Sequence, residues 1–80
     1  MKKYQAINCE FHDVIEMYAT RRETVDTVVE GPAEVNRIIR TVVCDVLSHN
    51  GEEFLVTNDG ERIRLDYVKS IGSYDVASFT

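Results

Sequence analysis

Tryptophan is absent from these 80 residues, proline occurs once and cysteine twice. Two cysteines, Cys9 and Cys44, are too few for a disulfide scaffold. One bridge between them is open on paper; as reduced thiols both would serve as small apolar residues. Basic charge is scarce too, with nine Lys and Arg against fourteen Asp and Glu, a net charge of −5. An acidic surface repels phosphate, so direct nucleic-acid binding is disfavoured. Apolar runs are short, Tyr18–Ala19 and Val28–Val29 being typical, so no membrane span is expected. Lys2 and Lys3 precede no apolar stretch, so no secretory signal is expected and a soluble cytoplasmic protein is the default. The length suits one domain over residues 1–80 with an economical core, and neither a linker nor an internal repeat is visible.

The acids are unevenly placed. Glu10, Asp13, Glu16, Glu23, Asp26, Glu30 and Glu34 crowd one stretch, opposed there only by Arg21 and Arg22. Such a surface either keeps the protein solvated or attracts a basic partner. Part of it falls on a helical pattern from Glu10 to Thr20. Phe11, Val14, Ile15 and Tyr18 recur at i, i+3, i+4 and i+7, one apolar stripe. Asn8 or Cys9 stands at the N-cap position, Glu10 and Asp13 suit the positive end of the helix dipole, and Arg21 and Arg22 suit its negative end. His12, Asp13 and Glu16 project away from the stripe. An acidic outer face over an apolar inner one is expected.

After Arg22 the β-branched content rises. Thr24–Glu30 reads as a strand with Val25, Thr27 and Val29 on one side, ended by Gly31-Pro32. Asn36–Leu47 is a longer strand, apolar on both faces, which predicts a bend that lines two parts of one core. Asn50-Gly51 signals a hairpin. Glu53–Thr57 follows, with Phe54 and Val56 facing together, and Asn58-Asp59-Gly60 makes a second turn. Glu61–Asp66 alternates, predicting Ile63 and Leu65 inward and Arg62, Arg64 and Asp66 outward. Tyr67-Val68 suggests a tight corner, Lys69–Gly72 a short strand, and Val76–Phe79 a last edge strand. The expected fold is mainly β of the α+β class: one N-terminal helix covering a small barrel or compact sandwich.

Candidate chemistry is sparse. Cys9-x-x-His12 and Cys44-x4-His49 supply four zinc-type ligands, but Cys44 alternates with Val42 and Val46 as a core residue would, so no metal is expected. Cys9 and His12 could be drawn as nucleophile and base, yet no orienting third group or oxyanion site accompanies them, and no phosphate-cradling glycine loop or carboxylate pair in a cleft is present. Neither an enzyme nor a cofactor is expected. Arg37, Arg40, Arg62 and Arg64 are the candidate basic patch for an RNA-binding alternative.

The segment Tyr4-Gln5-Ala6-Ile7-Asn8-Cys9, followed by Asp13 and Glu16, resembles the opening of the Rho-binding antiterminator (Rof) family. Glu53-Phe54-Leu55-Val56, Arg62-Ile63-Arg64-Leu65-Asp66 and Ser70-Ile71 are similar to that family's third and fourth strands and their exit, so the resemblance spans most of residues 4–72. It implies an Sm-like fold, an N-terminal helix on a strongly bent antiparallel sheet. It also implies a function: binding the N-terminal RNA-binding domain of the transcription termination factor Rho, blocking RNA loading and so preventing termination. Carboxylates in place of phosphates give that competition a physical basis. Carried over by position, Asn8, Glu10, Asp13 and Glu16 are expected to face Rho, with Ser48–Gly51 a looser match. Tyr4, Gln5 and Ile7 either pin the N-terminus or touch the partner. Phe11 and His12 depart from the family pattern, which has an acid and an aromatic residue there. A monomer is expected, with a ring-forming Sm-like RNA binder or an acidic adaptor for another basic protein as alternatives.

Overall fold

The computed structural model describes residues 3–31 and 36–79. Helix α1 (Cys9–Arg21) is followed by β1 (Thr24–Glu30), β2 (Asn36–His49), β3 (Glu52–Thr57), β4 (Arg62–Arg64), β5 (Val68–Ile71) and β6 (Tyr74–Asp75). Two 3-10 turns complete it, Leu65–Tyr67 between β4 and β5 and Val76–Phe79 at the end. The expected break at Pro32, and the acid at Glu34, lie outside the described residues.

The strands form one antiparallel sheet in the order β4-β3-β2-β1-β5-β6. This is the mainly β, α+β layout expected, with one N-terminal helix. Its pivot is β2. The first half of β2 pairs with β1 (Asn36↔Glu30 through Val42↔Thr24), and the second half with β3 (Val43↔Thr57 through His49↔Glu52). The register slips between Val43 and Asp45, which leaves Cys44 as an extra residue. A bulge of this kind bends a strand and exchanges the faces on which its side chains fall. It accounts for the apolar residues on both faces of β2: Val43 is buried before the bulge, and Val46 packs against the core after it.

Asn50 and Gly51 both adopt positive φ (53° and 78°), the backbone that a two-residue hairpin loop needs to match strand twist. The helix contributes Phe11, Ile15 and Tyr18 to one core with Val25, Val29, Val43, Leu55, Leu65, Val68 and Ile71 of the sheet and its connections. At its C-terminus Arg22 turns left-handed (φ 55°), donating its N–H to the Tyr18 carbonyl.

Phe54 and Val56 share a face as expected, and Leu55 and Thr57 are the buried pair of β3. Three expectations are corrected. The fourth strand stops at Arg64; Leu65 is buried as expected, but from a 3-10 turn. Val76–Phe79 is a 3-10 turn rather than an edge strand, and the Phe79 ring packs on Phe11 at 5.4 Å between centroids. Arg64 and Asp66 do not point into solvent: their side chains are 6% and 11% exposed. Arg62, on the same face, stays exposed; at the Arg64 end of β4 the Tyr4 ring of the N-terminal lead-in packs on the guanidinium, which the strand's own alternation could not reveal.

Candidate functional site: the acidic face of helix α1

The lead-in that carries the resemblance is anchored residue by residue. The Tyr4 ring lies 5.5 Å from the Arg64 guanidinium, which also stacks on Tyr67 at 4.6 Å. Arg64 Nε donates to Asp66 Oδ1 at 3.0 Å and Nη2 to Oδ2 at 2.6 Å, a two-pronged ion pair. The Gln5 N–H donates to the same Oδ2 at 3.1 Å. Ile7 packs against the core. Burial and the nearby Glu53 carboxylate hold the Tyr4 phenol above its usual range. Tyr4, Gln5 and Ile7 thus fix where α1 begins.

Asn8 is the N-cap. Its Oδ1 accepts from the N–H groups of Glu10 (2.8 Å) and Phe11 (3.4 Å), and its Nδ2 donates to the Phe79 carbonyl at 2.8 Å. The amide is nearly saturated within the fold, with one N–H left over. Of the four residues expected to face Rho, Asn8 therefore acts first as a joint between helix and C-terminal turn.

Glu10, Asp13 and Glu16 are exposed on α1, and none is paired with a lysine or arginine among the described residues. Glu10 sits in the first turn, where the dipole favours it. Asp13 lies about one turn on and Glu16 about two, both beside His12. The ligand-type atoms of these three side chains fall within 4.8 Å of one another. Across the sheet, Glu53 of β3 joins them, so carboxylates from two elements share one surface. Asp45 lines the neighbouring groove with Glu16, Ala19 and Thr20.

His12 was expected to project away from the apolar stripe, with no partner assigned to it. It is instead half-buried between two carboxylates: Nδ1 lies 2.9 Å from Glu16 Oε1, and Nε2 lies 2.7 Å from Glu53 Oε2. Burial works against protonation, but the hydrogen bond and charge of Glu53 and those of Glu16 outweigh it, so the pKa lies above the ordinary histidine value. The i, i+4 spacing of His12 and Glu16 was readable in the sequence. Glu53, forty-one positions away, was not.

The four residues with zinc-type spacing are not assembled. Among the described residues His12 groups with Asp13 and Glu16, without either cysteine. Both imidazole nitrogens of that group face carboxylate oxygens, of Glu16 and Glu53. Cys44 is half-buried at the bulge, whereas Cys9 is exposed, contrary to its expected apolar role. Ser48, His49, Asn50 and Gly51 are exposed at the β2–β3 hairpin tip. No helix among the described residues is long and apolar enough to cross a membrane. Comparison of the chain with protein-family models, with curated proteins and with solved structures finds no match.

Proposed function

We propose that this protein is an acidic protein–protein inhibitor that docks the outer face of α1 into a basic nucleic-acid-binding groove, that of the N-terminal RNA-binding domain of Rho, and so blocks RNA loading and termination in the cytoplasm. The observation that carries the reading is the exposed face of Glu10, Asp13 and Glu16, extended by Glu53 and unopposed by lysine or arginine among the described residues. Fixed carboxylates on a rigid helix can meet the arginines and lysines that otherwise hold phosphates. The resemblance in Tyr4–Cys9 names Rho as the partner; the surface supports the class of partner.

The RNA-binding alternative is less well supported. Of its four arginines, Arg37 is paired with Glu61, Arg40 with Asp26 at 3.0 Å and Arg64 with Asp66, leaving Arg62 without an ion pair among the described residues. Rings built by strand addition need two free edges. Here β5 is already covered by β6, and β4 has only three residues, which favours a monomer.

The test is binding of the purified Rho RNA-binding domain by the wild-type protein and by Asp13→Lys/Glu16→Lys. Both side chains are exposed, so the variant should keep its circular dichroism spectrum. Its affinity should fall at least about tenfold, and wild-type affinity should weaken with salt. Equal affinity of the two proteins removes α1 from the interface. Absence of wild-type binding even at low salt removes Rho.

A further inference from the structure

We propose that His12 is a proton-operated clasp that ties α1 to β3 and sets the charge of the acidic face. The inference concerns regulation of the site described above, and its binding arm rests on the proposed function. The geometry of the imidazole carries it. A neutral imidazole has one N–H and one lone pair, so it can donate to only one carboxylate. Here both ring nitrogens point at carboxylate oxygens, at 2.9 Å and 2.7 Å. Only the imidazolium satisfies both; with a neutral ring, one nitrogen lone pair would face a carboxylate lone pair at hydrogen-bond distance.

Among the described residues the charged groups around His12 are of one sign. Asp13 and Glu16 face His12 from α1, Glu53 from β3, and Asp45 of β2 lies across the groove beside Glu16. Cys9, Ala6 and Ile7 complete the lining on the N-terminal side. The bound proton therefore offsets one unit of a locally negative surface. When it leaves, the face gains one negative charge, and one of the two bonds, to Glu16 within the helix or to Glu53 across to the sheet, is lost. A basic partner should then be held more tightly above the His12 transition than below it. One extra unit charge about 6 Å from a partner cation in a water-like medium corresponds to about threefold in affinity.

The free protein decides the first half. In an NMR pH titration, the His12 ring resonance, assigned with His12→Gln, should show a midpoint above about 6.5, the ordinary histidine value. The midpoint should fall in Glu53→Gln and in Glu16→Gln, and furthest in the double variant. A midpoint at or below the ordinary value, or one that ignores Glu53→Gln, overturns the clasp. The second half is read as affinity for the Rho RNA-binding domain at about pH 6 and about pH 8. Wild type should gain about threefold relative to His12→Gln, whose charge does not change. An equal pH response of the two proteins overturns the charge-setting role. If the Rho domain binds at neither pH while the titration behaves as stated, the clasp stands and the partner reading falls.

Discussion

Replacing Arg64 with alanine is expected to cost about 2–3 kcal/mol of stability. Alanine would leave the Asp66 carboxylate, 11% exposed, without its two-pronged partner, and would remove the cation from between the Tyr4 and Tyr67 rings. Breaking a well-buried ion pair by deleting one member costs about 3–5 kcal/mol, whereas exposed pairs contribute about 0–1 kcal/mol. Arg64 also lines a surface groove with Phe54, Arg62 and Tyr67, so water remains near and a value between those two ranges applies. Against a total stability of about 5–10 kcal/mol for a domain of this size, such a loss is large. With a urea dependence of about 1 kcal/mol per molar, the unfolding midpoint should move down by about 2–3 M. Arg64→Lys should recover only part of it, because an ammonium cannot make the paired bonds or stack as a planar group. Arg64→Met combined with Asp66→Leu should cost less than Arg64→Ala alone, since no uncompensated charge remains and the exposed Gln5 N–H can turn to water. A loss below about 1 kcal/mol for Arg64→Ala, or a double variant worse than the single, would refute the assignment of this cluster as the anchor of the N-terminal lead-in.

Three further outcomes follow from the same geometry. Asn8→Ala should lower stability by about 1–2 kcal/mol in urea unfolding, with increased amide exchange in the first turn of α1, because two N–H groups lose their cap and Phe79 its tether. Gly72→Ala should cost about 1–3 kcal/mol, since Gly72 has φ +60° and a Cβ there would collide with the Tyr18 hydroxyl; thermal unfolding should show it, and Tyr18→Phe should relieve part of it. Stability should also depend on His12 protonation. Burial opposes its charge, but Glu53 and Glu16 raise the folded pKa above the unfolded one, so the His12 contribution is fully present below about pH 6.5 and is lost as pH rises through the folded value. His12→Gln should flatten melting temperature against pH across that window, and an unchanged slope would count against the ion pairs.

Much of the architecture was legible because local periodicity carries it. The apolar stripe of α1 placed Phe11, Ile15 and Tyr18 in the core, and Thr24–Glu30 matches β1 residue for residue. Asn50-Gly51 marked its hairpin because few other residue pairs tolerate positive φ twice in succession. Apolar residues on both faces of β2 announced a bend, although the bulge at Cys44 that produces it needs the partner register of β3. The acids on α1 were placed correctly on an exposed face, since the stripe fixes its opposite side.

What the sequence alone determined was therefore the helix, the strands from β1 to β5 in outline and the acidity of the helical face, all properties of residues within a few positions of one another. The tertiary structure decided the rest, because it depends on chain segments that meet only after folding. Arg64 alternates as an exposed strand residue, and the packing of the Tyr4 and Tyr67 rings on its guanidinium, beside Asp66, buries it. Asn8 reads as a cap, and only the return of the C-terminal turn makes it a tether to Phe79. His12 reads as a solvent-facing helix residue, and only the docking of α1 beside β3 sets it between Glu16 and Glu53. Electrostatic environment is set by distance in space, and sequence separation carries no information about it at this range.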